Sequence, residues 1–291
     1  MLDIINHTQE LEQHLKTLSE NTWHEVITPE RAKELLGINT SNRPQRPTTQ
    51  QVLIRDLKRN NFIYNGDTIR ISSENVLLDG QNRLYACVKS GIPFVALMVG
   101  NLPPEAMKTI DVGSRRSHGQ QLHLRGIKNA SQVSAILVKM AEMAYGQNNV
   151  TFSQHELDDL LEQYPHVIDL ASSCKKVIAG CGSIVGAICS IGISQHKNKL
   201  ADQFLTVWKN GIPAYQNCPA HLVRERINRK QGKPNQKIER LTMQRMIMSS
   251  WNKLVENKTY SVIKGFDDKK IYGWDTNDLK FVVALESQEN D

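Results

Sequence analysis

The sequence predicts an α+β protein: a small mixed sheet with its own helices in the N-terminal part, followed by a mostly α-helical region. Two observations predict this. Residues 22–100 alternate apolar runs of period two with helical patterns, in the order strand, helix, helix, strand, strand, helix, strand. From Pro103 onward the pattern is nearly continuous helix. A length of 291 residues suits one large domain or two modest ones. We divide it into an N-terminal helix (1–21), an α+β domain (22–112) and a helical domain (113–291) with a basic segment at 221–245.

Leu11, Leu15 and Leu18 give residues 7–20 the spacing of a short surface helix. Trp23 to Ile27 reads as a strand. Thr28 then caps a helix, with Pro29 at its first position and Gly37 as its stop. Asn42 to Pro47 (NRPQRP) is a loop in which prolines hold Arg43 and Arg46 on display. A helix is expected from Thr49 to about Asn60, then a turn at Asn65-Gly66-Asp67 and a strand from Thr68 to Ser72. Val76 to Asp79 forms a short buried strand that turns at Gly80 into a helix ending at Gly91, and Phe94 to Val99 is a further strand. Beyond Pro103-Pro104, helices are expected at 116–125, 129–145, 154–163, Pro165 to about Ala179, one or two within 184–209, 219–230 and 239–255. Tyr260 to Lys264 reads as a final strand, and Glu286 to Asp291 as a frayed end.

Composition removes several classes. No apolar run approaches the ~20 residues that span a bilayer. The first residues lack the charged and apolar regions of a secretory signal. Cys87, Cys174, Cys181, Cys189 and Cys218 show no C-x-x-C pair and sit in apolar helical patterns, so they read as buried thiols of a cytoplasmic protein. His118, His123, His155 and His166 share no metal-ligand spacing and read as surface or packing residues. Gly180 to Gly186 (GCGSIVG) has no preceding strand and no following lysine, so it reads as a tight helix–helix contact rather than a phosphate loop.

The chemistry concentrates at Asp79-Gly80-Gln81-Asn82-Arg83. A strand that turns directly into a helix leaves first-turn N–H groups unpaired at the positive end of the helix dipole, and an arginine in that turn completes an anion site. Asp79 adds a carboxylate, a candidate catalytic group or Mg²⁺ ligand. Asp111 to Arg116 is a second turn with two arginines, Arg115 and Arg116, read either as a further phosphate or DNA contact or as a charged hinge. The formal charge is +6, and the stretch from His221 to Arg245 holds eight basic residues against two glutamates, enough to account for the whole excess. Arg224, Arg226, Arg229, Lys230, Lys233, Lys237 and Arg240 are therefore candidate contacts to a DNA backbone, set against the plainer reading of a solvated helix face. A helix-turn-helix over Ser153 to Cys174 is poorly equipped, with only Lys175 and Lys176 near its end.

The string DGQNR resembles the D-G-x-H-R signature of the ParB/sulfiredoxin superfamily, with Asn82 in place of the usual histidine. The likeness extends to Ile27 to Glu30, Asn42 to Pro47, Gly66 to Ile71, Leu77 to Pro93 and Leu102 to Ser117, covering about residues 22–125. It implies a ParB/sulfiredoxin-like fold and a nucleoside triphosphate site (ATP or CTP, with Mg²⁺) at the start of the helix. ParB members bind and hydrolyse CTP as DNA clamps; sulfiredoxin and the free-serine kinases transfer phosphoryl groups from ATP. Gln81 stands where sulfiredoxin carries its reactive cysteine, which excludes sulfinic acid reduction. The Gly-Glu-Arg-Arg of partition ParB is absent, so CTP selectivity does not carry over. Asn82 donates hydrogen bonds but is neither acid nor base near neutral pH. On this reading Gly80, Gln81, Asn82 and Arg83 hold phosphate, with Arg43 and Arg46 as a clamp. The expected function is a nucleotide-binding, DNA-associated protein of phage, plasmid or mobile-element type. The alternative is an ATP-dependent kinase for a small hydroxyl compound or nucleobase, with Asp79 as base. A homodimer is left open.

Overall fold

A computed structural model describes residues 20–40, 47–108, 110, 117–146, 150–178, 180–231, 238–259 and 270–279. The expected N-terminal helix, the strand at Tyr260 to Lys264 and the last residues lie outside these, as do Arg43, Arg46, Arg115, Arg116, Lys233 and Lys237. The fold is α+β, and the chain forms two compact units, Met1–Ser114 and Arg115–Asp291.

Alternation builds the sheet of the first unit. Strands β1 (Thr22–Ile27), β2 (Thr68–Ser72), β3 (Leu77–Asp79) and β4 (Phe94–Leu102) lie in the order β1-β4-β2-β3. β1 and β4 pair antiparallel from Thr22↔Val99 to Ile27↔Phe94, β2 runs parallel to β4, and β2 and β3 pair antiparallel with Arg70 opposite Asp79. Helices α1 (Pro29–Gly37), α2 (Pro47–Lys58) and α3 (Gln81–Ser90) complete the unit. Ile27, Ile69, Phe94, Ala96 and Met98 point to one face, where they share a core with Ala32, Leu35, Leu57, Leu84 and Cys87 of the helices. The opposite face is left with Val26 and Val95, paired with one another and both exposed. α1 starts as expected, with Thr28 Oγ1 accepting from Arg31 N at 3.2 Å ahead of Pro29. α2 begins two residues earlier than Thr49, because Pro47 occupies the first turn, where a missing N–H costs nothing.

The second unit holds α4 (His118–Leu124), α5 (Ala130–Tyr145), α6 (Gln154–Gln163), α7 (Val167–Cys174), α8 (Gly182–Ser194), α9 (Asn198–Asn210), α10 (Pro219–Gln231) and α11 (Arg240–Val255). Capping boxes at Ser117/Gln120 and Ser153/Glu156 open α4 and α6. α8 is buried without interruption from Ile184 to Gly192, as a helix apolar on all sides must be. Its glycines set its neighbours. A Cβ at Gly186 would lie 2.6 Å from Ile136 Cδ1, and one at Gly192 would lie 2.5 Å from Trp251 Cη2. GCGSIVG is thus a helix-packing sequence, as expected. One helix is shorter than its pattern: α7 stops at Cys174, not Ala179. The Cys174 carbonyl abuts Gly182 so closely that a Cβ there would lie 2.5 Å from it, so the chain has to turn before α8 begins. Between α5 and α11, the Lys139 ammonium is buried against Glu142 and donates to Gln244 Oε1 at 3.2 Å.

A segment without a sequence expectation, residues 270–279, closes this unit. Trp274 Nε1 donates to the Met140 carbonyl at 3.1 Å, and Ile271, Trp274 and Leu279 join the helical core. No helix among the described residues is long and apolar enough to cross a membrane.

Candidate functional site

The Asp79–Arg83 junction follows from its backbone. Leu77 and Leu78 bury β3, and the chain must then reverse into α3 directly above Ile69 of the neighbouring strand. Gly80 does this at φ 103°, and a Cβ there would lie 2.9 Å from Ile69 Cγ1, so both conformation and space demand glycine. Gly80 provides no side-chain cap. Its carbonyl accepts from the N–H groups of Arg83 and Leu84, and the N–H of Asn82 has no hydrogen bond among the described residues.

The side chains are already organised. Asp79 Oδ1 accepts from Gly80 N at 2.7 Å, while Oδ2 lies 3.5 Å from Arg83 Nη2 and 3.7 Å from Arg70 Nη1. Arg83 Nη2 donates to the Thr68 carbonyl at 2.6 Å, and its side chain is 11% exposed. Gln81 is buried, with Oε1 accepting from Asn39 Nδ2 at 3.2 Å; Asn82 Oδ1 accepts from Gln50 Nε2 at 3.2 Å. The geometry therefore splits the expected site in two. The backbone of the first α3 turn supplies donors, and the side chains of Gln81 and Asn82 serve to fix that turn to α2 and the α1 exit. Arg83 is anchored beside Asp79, pre-oriented by the sheet.

Arg70 was not among the expected residues. Its signal lies in the strand pattern: between Ile69 and Ile71 it points away from the core, and the β2–β3 register sets it opposite Asp79. Asp79 is a poor resident site for Mg²⁺. One of its oxygens receives an N–H and the other faces two guanidiniums, where an ion would have to displace cations.

The basic segment also divides. Arg224 Nε donates to the Trp208 carbonyl at 3.0 Å and Nη1 to Glu225 Oε1 at 2.7 Å, while a Cβ at Gly211 would lie 2.6 Å from Nη1. It closes the end of α9, a structural duty that takes it out of the expected DNA set. Arg229 and Arg240 are exposed, and Arg226, Lys230 and Arg245 are half-buried. Among the histidines, His118 is buried, with Nδ1 3.1 Å from Ser134 Oγ and Nε2 3.4 Å from Asp158 Oδ1; Arg125 pairs with the same carboxylate. Burial pushes the His118 imidazole below its usual range, against the opposing pull of Asp158.

Set against protein-family models, curated proteins and solved structures, the chain matches none of them.

Proposed function

We propose that this protein is a ParB-like nucleotide-binding, DNA-associated protein that holds a nucleotide phosphate at the first turn of α3. The observation that carries the reading is the glycine-opened junction between β3 and α3. Gly80 lets the turn close against Ile69, and the helix N-terminus that follows lacks a side-chain cap, has the Asn82 N–H unbonded among the described residues, and has Arg70 and Arg83 beside it. The DGQNR string and its wider resemblance point to the same turn. The exposed cations of α10 and α11, Arg229 and Arg240 foremost, suit a polyanionic partner. The phosphotransferase alternative asks Asp79 to take a proton. Both of its oxygens already have partners, so binding is the reading carried forward.

Thermal melts with ATP and with CTP, each with and without Mg²⁺, test the site. A ligand at 100 times its Kd stabilises the folded chain by about 2.7 kcal/mol. One nucleotide is expected to raise Tm, and Arg83→Ala, measured against its own ligand-free melt, is expected to abolish the rise. An equal rise in the variant rejects the phosphate turn. For DNA, anisotropy with a labelled duplex at two salt concentrations is expected to show affinity falling as salt rises; no salt-dependent affinity rejects the DNA partner.

A further inference from the structure

The sheet of the first unit has two edges, and they are finished differently. β3, at one end, is three residues long, and its pairing with β2 shifts register between Arg70 and Ile71. Shortness and irregularity of that kind keep an edge from taking another strand. β1, at the other end, runs for six residues in unbroken register with β4 and carries neither proline nor lysine. Its one carboxylate, Glu25, is neutralised by Arg31 Nε at 2.7 Å. Among the described residues, no strand pairs with its outer edge.

The exposed large apolar side chains of this unit gather at that edge. Trp23 and Val26 lie on β1, Val95 faces Val26 from β4, and Tyr64, next to Ile63, places its hydroxyl 2.8 Å from His24 Nε2. Val26 is 59% exposed, so the fold of a single chain leaves most of its apolar surface in water. The backbone shows which groups face outward. Gly100 N donates to the Asn21 carbonyl at 2.8 Å, so the odd positions of β1 bond to β4. The even positions, His24 and Val26 among them, turn their N–H and C=O groups away from the sheet. A row of such groups beside apolar side chains is a template for a further strand.

We propose that β1 pairs antiparallel with β1 of a second copy of this chain, joining the two sheets edge to edge. A twofold axis restricts the register. Outward backbone groups and continuous faces both require even positions opposite even positions, which leaves axes at residue 23, 24 or 25. An axis at Glu25 sets two carboxylates against each other, and one at Trp23 leaves Val26 beyond the partner's strand. An axis at His24 sets Trp23 opposite Glu25 of the second copy. Trp23 Nε1 already donates to Glu25 Oε2 at 3.0 Å along the strand, so the two side chains suit one another across it. This self-complementarity favours a second copy over an unrelated extended peptide. The contact is separate from the α3 turn and does not depend on what binds there.

The test is sedimentation velocity of the full chain over a wide range of concentration. A contact of one six-residue strand per copy falls below the ~1,200 Å² of standard interfaces, so a weak, concentration-dependent dimer is expected. Val26→Lys puts a charge on the joining edge, and Val26→Pro removes an outward N–H that β4 does not use. Each is expected to weaken the dimer about tenfold or more. Val95→Lys puts the same charge on the same face one strand inward and is expected to leave the dimer in place. The five native cysteines are buried, so a nitroxide attached to His24→Cys reports on the axis. Strong spin–spin broadening is expected in the dimer, where the two Cα atoms at the axis lie about 5.5 Å apart. A chain that stays monomeric, a dimer untouched by both Val26 variants, or absent broadening overturns the proposal. So does equal loss in Val95→Lys, which would mean stacking through the open face rather than pairing at the edge.

Discussion

At the scale of single residues, His118 shows what a side chain gains and gives up by leaving water. It sits between Ser134 on α5 and Asp158 on α6, and Arg125 pairs with the same Asp158 oxygen, Oδ1. Burial holds its pKa below the ordinary imidazole value, so the unfolded chain binds its proton more readily. The stability this confers is present above about pH 6.5 and is lost as pH falls through the folded value. Urea unfolding is therefore expected to show lower stability at pH 5.5 than at pH 7.5. His118→Gln is expected to flatten that slope, leaving a residue from His166, which burial shifts the same way. An unchanged slope in the variant removes His118 from the pH response. The sequence marked His118 only as a surface or packing residue, because its partners lie 16 and 40 positions away and no local pattern carries them. The same holds at the candidate site. Asp79 to Arg83 was readable as a contiguous string, whereas Arg70, Thr68 and Gln50 enter through strand register and helix packing, which one dimension does not encode.

At the scale of elements, caps and punctuation were the legible part. Thr28-Pro29, Ser153 with Glu156, and Gly91 begin or end helices where local chemistry predicts, since each acts within its own turn. The end of α7 was not legible, because what stops it is the approach of α8 rather than any breaker in its own sequence. α8 also yields a sharp prediction. Gly192 faces the Trp251 ring, itself fully buried and packed edge-on to Phe204 at a centroid distance of 5.3 Å. A methyl at 192 meets a rigid indole with nowhere to move. Gly192→Ala is expected to destabilise the fold by about 1–3 kcal/mol despite the better helix propensity of alanine, which offers at most ~1 kcal/mol in return. Gly37, with nothing within 4 Å of its Cβ position, is the control: Gly37→Ala is expected to change little. The measurement is the urea midpoint of each variant at constant m-value.

At the scale of the whole molecule, the division into two compact units and the role of residues 270–279 belong together. That segment carries no strong helical or strand period, yet it bonds to four different helices or their ends. Trp274 reaches the Met140 carbonyl of α5 and packs edge-on to Tyr164 after α6, at 5.5 Å between centroids. Gln195, at the end of α8, donates to the carbonyls of Tyr272 and Gly273, each at 2.8 Å, and Asn252 of α11 holds the Lys270 carbonyl and the Tyr272 N–H. Irregular chain of this kind is stable only because its polar backbone finds partners on the helices and its large side chains enter their core. Trp274 is 2% exposed, so Trp274→Ala removes both the indole packing and a buried hydrogen bond, a loss of about 3–5 kcal/mol. If the two units hold separate cores, that loss stays within the second. Hydrogen exchange followed by mass spectrometry is expected to show faster exchange across α5, α8 and α11 in the variant, with the β1 and β4 amides unchanged. Equal loss of protection in the sheet would mean that both units open as one cooperative body, and ligand-induced stabilisation at the α3 turn would then have to be read as a property of the entire chain rather than of the unit that carries it.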